Sequence, residues 1–463
     1  MKRSILVLFT LPVLLNACVN SDPGSEISRI QISENGRFFI QEDGEPFFWL
    51  GDTGWLLFKK LDRDEIIRYL DNRQENGFNV IQVMVLHSVS DAINAYGDSA
   101  LIDNNVARPR VTEGNDPDDP AEYDYWDHVD FVVKEAARRD IHVGMVLVWG
   151  SNVRAGHVAK DEARDYARFL ANRYKDNPNI IWLNGGDTRG DENTEIWNII
   201  GKTLHDHDPN HLVTFHPYGR TQSSMWFHDS TWLDFNMFQS GHRRYDQDDT
   251  ALGYGEDSWR YVRTDYRKRP VKPTVDGEPS YEGIPEGLHN TTQPYWDAAD
   301  ARRYAHWGVF AGAAGHTYGH SAVMQMYMPS DEEPAYGARE YWCEAIDDTG
   351  AAQMQHLKNL MLSRPYPERV PDQSLVAGQN GEKYDYVIAT RGKDYAFLYT
   401  YTGRNFTVNM GKIAGDRVKA SWYDPRNGEI SELGEYENAG EQEFNPPEEK
   451  QPGNDWVLVL DSI

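Results

Sequence analysis

Two carboxylates occupy positions where a chain can do chemistry. In "NIIWLNGGDTRGD" (179–191) an apolar run stops at two glycines and Asp187, and in "TVDGEPSYEG" (274–283) a shorter one stops at Asp276, Gly277 and Glu278. A glycine before each acid lets the backbone turn tightly and approach a ligand. Two carboxyl groups flanking one bond suit glycosidic cleavage. One protonates the leaving oxygen and the other attacks or stabilises the sugar cation. A separation of roughly 5 Å makes the second a nucleophile, and roughly 6.5–9.5 Å leaves room for water and inverts configuration. Each acid has a plainer reading. Asp187 could cap the helix expected at "ENTEIW", and Asp276 faces the same side as Glu278 one layer deeper, as a support. Glu282, Asp191 and Glu192 read as solvated loop residues.

To bring the two acids together, the chain must place their strands around a common axis. Apolar runs recur at 47–52, 78–86, 141–150, 179–186, 211–217, 233–241, 272–279 and 314–320, separated by amphipathic or long connecting sequence. "LDRDEIIRYLDNRQENGF" carries a capping box (Asp62 with Glu65), an apolar face of Ile66, Ile67 and Leu70, and a stop at Gly77. "YDYWDHVDFVVKEAARRD" places Val129, Val132, Val133 and Ala136 on one helical face. Eight apolar strands alternating with helices predict an α/β fold, a (β/α)8 TIM barrel with a parallel sheet covered by helices. An open doubly wound sheet would want a glycine-rich phosphate loop after its first strand, and "GDTGW" (51–55) is not one.

Strands four and seven lie on opposite sides of such a barrel, so their tips can flank a bond held over the axis. Function belongs at the C-terminal strand ends. Those ends offer Asp52 and Trp55, His87, Trp149 and Asn152, Asn184, His216 and Tyr218, Gln239 and His242, and His316 and Tyr318 as substrate-binding candidates beside Asp187 and Glu278. Arg154, Arg189, Arg220, Arg243 and Arg244 also follow strand ends. In an otherwise acidic chain some of them could bind acidic sugars through paired N–H donors. The 14 Trp and 26 Tyr suit sugar clefts, although core filling accounts for most aromatics.

The expected catalytic domain spans 27–365 and opens with a β-hairpin marked by Asn35-Gly36 and Asp43-Gly44. Beyond a proline-punctuated linker, residues 372–463 alternate with period two and predict a small C-terminal antiparallel β-sandwich. Residues 1–17 read as a lipoprotein signal peptide, because Lys2 and Arg3 precede a short apolar run ending in "LNAC". The resemblance of "LNAC" to a bacterial lipobox implies cleavage before Cys18, lipid on its thiol and a tether over 18–26. The mature protein would then be exported and anchored to the bacterial membrane, on its periplasmic face or at the cell surface. Cys343 then has no intramolecular disulfide partner. A net charge of −27 excludes nucleic acid as a partner. Neither "HDHDPNH" nor "HTYGH" offers a credible ligand set, so no metal or other cofactor is expected.

Taken in order, "GEPFFWLGDTGW", "GFNVIQVMVL", "IIWLNGGD", "TFHPYG", "DGEPSYEG" and "HTYGH" resemble the apiosidase-like glycoside hydrolases of bacterial pectin degraders. "VKASWYDPRNGEI" and "DWVLVLD" resemble the collagen-binding-like β-sandwich that follows the barrel in that family. The resemblance covers nearly the whole mature chain. It implies a retaining mechanism with Asp187 as acid/base and Glu278 as nucleophile, acting on apiose linkages in the side chains of rhamnogalacturonan II. Two alternatives stay open: a related barrel glycosidase acting on another plant sugar, and a surface lipoprotein that binds glycan without cleaving it.

Overall fold

The computed structural model describes residues 27–463; the signal peptide, Cys18 and the rest of the tether lie outside the described residues. Eight parallel strands form one sheet: Trp49–Thr53 (β1), Val80–Leu86 (β2), His142–Val148 (β3), Ile180–Thr188 (β4), Val213–Pro217 (β5), Asn236–Phe238 (β6), Thr274–Asp276 (β7) and Gly315–Tyr318 (β8). β8 pairs with β1, and the order runs on through β2, β3 and β4 to β5, and through β7 to β6. β5 and β6 share no ladder. Side chains and loop backbone bridge that seam: Thr214 Oγ1 donates to the Phe235 carbonyl at 2.6 Å, and Asp234 exchanges two bonds with Val213. The sheet is therefore a barrel joined at its last edge by the approach to β6.

Apolar strands force helices outside. Arg63–Glu75 (α1) starts at Asp62, whose side chain accepts from the Glu65 N–H while Glu65 answers the Asp62 N–H, and Gly77 follows its end at φ +77°. Tyr125–Ala137 (α2), Lys160–Tyr174 (α3), Thr194–His207 (α4), Ser258–Tyr266 (α5), Ala298–Phe310 (α6) and Thr349–Leu362 (α7) complete the long outer helices. The N-terminal segment turns at Asn35-Gly36 and Asp43-Gly44, giving the expected hairpin a third antiparallel strand: Ile30–Ile32, Phe39–Gln41 and Pro46–Phe47. Phe39 packs on Trp49 and Phe235, filling the barrel floor opposite the strand tips.

The C-terminal part is lopsided. A six-stranded sheet from Val370–Pro371 to Trp456–Ser462 carries a separate two-stranded sheet, Phe406–Asn409 with Glu441–Phe444, over one face. The other face packs on the barrel helices. There Arg302 donates to both oxygens of buried Asp455, Tyr399 stacks on His306 at 4.5 Å, and Arg369 donates to the Ala313 carbonyl at 2.7 Å.

Candidate active site

Asp187 reaches the cleft because β4 bulges. Gly185 pairs with His216 and Thr188 with Pro217, so Gly186 and Asp187 are extra residues on the β4 side. Gly185 (φ +91°), Gly186 (φ +95°) and Asp187 (φ +45°) are all left-handed. A Cβ on Gly185 would meet the His216 carbonyl at 2.7 Å, and one on Gly186 the Trp149 ring at 2.6 Å. The Gly-Gly-Asp sequence is thus what turns the carboxylate into the barrel mouth. The helix-capping reading fails, since α4 begins after Asn193, six residues further on.

Glu278 lies just past β7. Its N–H turns back onto Asp276 Oδ1 at 3.3 Å, and the Asp276 carboxyl is in turn held by the Ser240 hydroxyl, so Asp276 supports Glu278 from below. Burial pushes the Asp276 carboxyl up to about 7. Gln82, inside β2, fixes the Gly277 carbonyl at 2.8 Å.

Two histidines define the electrostatics. His242 Nε2 lies 3.0 Å from Glu278 Oε1 and hydrogen-bonds to it, while His216 Nε2 faces Oε2 at 3.4 Å without completing a hydrogen bond. Each ring accepts a backbone N–H at Nδ1, from Asp187 at 3.2 Å for His216 and from Tyr281 at 3.4 Å for His242. A ring accepting at Nδ1 carries its proton on Nε2, so both rings turn N–H toward Glu278. Burial alone would raise the Glu278 carboxyl, but the imidazoles outweigh it and hold it down at about 2. At Asp187 burial acts first and the Glu278 charge second, pushing it up to about 6. The environment separates two similar acids into an anion and a proton carrier.

The cleft around them encloses about 420 Å3. Of the expected site residues, Trp55, His87, Trp149, Asp187, Tyr218, Gln239, His242 and Glu278 line it, with His216 immediately beneath. Arg220 and Arg243 line it as well. Glu278 Oε2, His216 Nε2, Gln239 Oε1 and Arg220 Nε are buried there without a hydrogen-bond partner in the protein.

Five expected substrate contacts are corrected. Asp52 is sealed between β1 and α1, accepting from Tyr69 at 2.7 Å and from buried Arg73 at 3.1 Å. Asn184 braces α4 by donating to the Trp197 carbonyl at 2.8 Å. His316 is buried on the outer face of β8, level with Leu50 and under the covering helices, without a partner, and burial lowers it to about 3, which keeps it neutral. Tyr318 points outward and donates to Glu282 at 2.6 Å, so Glu282 is buried rather than solvated. Asn152 likewise ties the β2 and β3 loops together through His87 and Val89. Of the other arginines, Arg189 pairs with Asp191, Arg244 with Asp246 and Glu286, and Arg154 is exposed; none lines the cleft.

Several wall residues escaped sequence reasoning. Tyr281 accepts from Trp55 Nε1 at 3.2 Å and meets the His242 ring edge-on at 4.8 Å, and it follows Glu278 by only three residues. Tyr336 arrives from the long connection after β8, where no strand end marks it; burial first, then Glu278 and Asp187, raise its hydroxyl.

Among the described residues, His320, Glu340 and Asp348 converge as a cation site would. Yet His320 Nδ1 accepts the Ala322 N–H at 3.1 Å, leaving the proton on Nε2, which faces Asp348 at 3.0 Å. That ring has no lone pair to give a metal.

Known proteins place the fold in a family. The profile described as "Apiosidase-like, catalytic domain" matches residues 33–368, and "Putative collagen-binding domain of a collagenase" matches 370–461. No curated protein matches the chain. A solved "Glycoside hydrolase" is 46% identical, with 94% of this chain and 97% of that one covered and a TM-score of 0.89. A glycoside hydrolase family 5 structure from Bacteroides vulgatus is 45% identical, covering 94% and 93%, with a TM-score of 0.88.

Proposed function

Because the chain belongs to the apiosidase-like family of glycoside hydrolases, we propose that it is a retaining apiosidase acting on apiose-linked side chains of rhamnogalacturonan II in pectin. Glu278 is the nucleophile and Asp187 the acid/base. The observation that carries these roles is geometric: His242 donates to Glu278 at 3.0 Å and His216 turns its Nε2 on the same carboxylate at 3.4 Å, which favours the Glu278 anion, while Asp187, buried beside that charge, is pushed toward its protonated form.

In the first step a Glu278 oxygen bonds to the anomeric carbon, the glycosidic C–O bond breaks, and Asp187 gives its proton to the leaving oxygen. In the second, Asp187 takes a proton from water, the water oxygen bonds to the anomeric carbon, and Glu278 leaves as a carboxylate. Oε2, the glutamate oxygen without a hydrogen-bond partner, is the one free to attack. Trp55 and Trp149, with ring centres 5.4 Å apart, supply apolar faces for the sugar.

Arg220 and Arg243 support the acidic polymer as substrate. Both pair with Asp249 and Arg220 also faces Asp248, so what they offer a galacturonate carboxylate is N–H donors at the cleft wall rather than net positive charge. A lipid on Cys18 would hold the enzyme at a membrane facing this polymer, and Cys18→Ser should release it into the soluble fraction.

The test is product release from rhamnogalacturonan II by wild type and Glu278→Gln side by side. Apiose-terminated fragments from the wild type alone support the reading. Cleavage of neutral aryl galactosides or arabinofuranosides, with the polymer untouched, would move the substrate to another sugar. Equal cleavage by both proteins would remove Glu278 from its role.

A further inference from the structure

The wall of the cleft that carries Arg243 is a long segment, 243–257, between β6 and α5, and its fixed point is buried Glu256. The Glu256 carboxylate accepts the Tyr245 N–H at 3.2 Å, Arg303 at 2.8 Å and the Tyr384 hydroxyl at 2.9 and 3.0 Å. Tyr384 belongs to the C-terminal sheet domain, so a single carboxylate ties that domain, helix α6 and the cleft segment together.

The surroundings make this tie costly to break. Arg303 is fully buried, with Tyr304, Trp307, Tyr384 and Tyr401 around it at 4.8–5.1 Å. Two of those rings come from the C-terminal domain and screen the ion pair from water. A buried pair that loses one hydrogen-bond donor is left partly uncompensated. The Tyr245 ring also packs against Tyr384 at 5.6 Å, and its hydroxyl donates to Asp257 at 2.6 Å.

From this anchor the segment reaches the site in two directions. His242, which bonds Glu278, is three residues before Tyr245. Further on, Asp248 accepts the Gly255 N–H at 2.6 Å and stands 3.4 Å from Arg220 Nε, while Asp249 pairs with Arg220 at 3.1 Å and Arg243 at 3.3 Å. These two aspartates set where the cleft's guanidiniums lie.

We propose that Tyr384 is a positioning residue for the substrate cleft, through which the C-terminal domain fixes segment 243–257 and thereby Arg220 and Arg243. The domain is part of the enzyme's binding apparatus and not an appended module. The sugar-acid role of the arginines rests on the reading given above, whereas the mechanical link does not.

The experiment compares full-length wild type, Tyr384→Phe and Tyr401→Phe. Tyr401 also touches Arg303 but makes no bond to Glu256, so its variant controls for general loosening between domains. Hydrogen exchange of peptides covering 243–257 is measured together with kcat and KM on rhamnogalacturonan II. Tyr384→Phe should exchange several-fold faster there and raise KM several-fold, with kcat within about twofold of wild type. Tyr401→Phe should do neither. Unchanged exchange in Tyr384→Phe, faster exchange with an unchanged KM, or identical behaviour of the two variants would each overturn the proposal. If the wild type leaves the polymer intact, the substrate reading fails on its own. KM is then measured on the glycoside that the wild type does cleave, and the exchange result still decides the link.

Discussion

His216 joins the two carboxylates: its Nδ1 accepts the backbone N–H of Asp187 at 3.2 Å, and its Nε2 faces Glu278 Oε2 at 3.4 Å. The β4 bulge that aims Asp187 therefore also fixes the ring that biases Glu278 toward ionisation. A change at any of the three residues should be felt at the other two.

The first consequence is a pH profile. Asp187 must enter the reaction protonated, and its carboxyl is raised to about 6. As pH climbs through that value the acid is lost, so kcat/KM should fall about tenfold per pH unit above about pH 6. Initial rates across neutral pH check this, and a basic limb that persists in Asp187→Asn would assign it to another group.

Removing His242 should move the opposite limb. Its bond to a charged oxygen is worth about 1.5–3 kcal/mol, or about one to two pKa units. His242→Ala should therefore raise the Glu278 carboxyl from about 2 and shift the acidic limb upward. A limb that does not move would mean that His216 and the cleft alone keep Glu278 ionised.

Asp187 also carries a stability cost. Its folded-state value lies above the ordinary 3.8, so the native state holds the proton more tightly than the unfolded chain. The stability linked to that proton is full below pH 3.8 and is lost as pH rises through about 6. Asp187→Asn should thus stabilise the protein by about 3 kcal/mol at pH 8, seen as a Tm higher by a few degrees. At pH 3.8 the gain should vanish, and a pH-independent change in Tm would contradict this account.

For Asp52 the expectation is structural. Arg73→Met leaves its carboxylate buried and unpaired, costing about 3–5 kcal/mol. Turnover per folded molecule should stay as in wild type. A variant that keeps its Tm but loses kcat would return Asp52 to the cleft.

Strand order and the two acids were legible because both depend on local sequence. An apolar run that ends in glycine and an acid marks the strand tips that carry Asp187 and Glu278, and eight apolar runs with intervening helices leave few alternatives to a barrel. Side-chain direction was not legible. Asp52, Asn184, His316 and Tyr318 all lie on barrel strands as expected, yet all four face the covering helices. Neighbouring residues on a strand point to opposite faces, and a bulge resets which is which. The β4 bulge turns Asp187 toward the cleft while Asn184, three residues earlier, faces α4. Tyr336 and the anchor at Glu256 come from connections whose course depends on long-range packing, including a domain that begins more than a hundred residues later. Tyr281 could have been found, as an aromatic side chain in the same short loop as Glu278.

The most direct test of the central claim is a covalent trap. Asp187→Ala, mixed with an aryl apioside whose leaving group needs no proton, should form the glycosyl-enzyme but lack the base that hydrolyses it. Peptide mapping by mass spectrometry after acid quench should then find the sugar on Glu278. A sugar on any other residue, or undiminished turnover of the aryl glycoside with no adduct at all, would contradict the assignment of Glu278 as nucleophile and Asp187 as its partner.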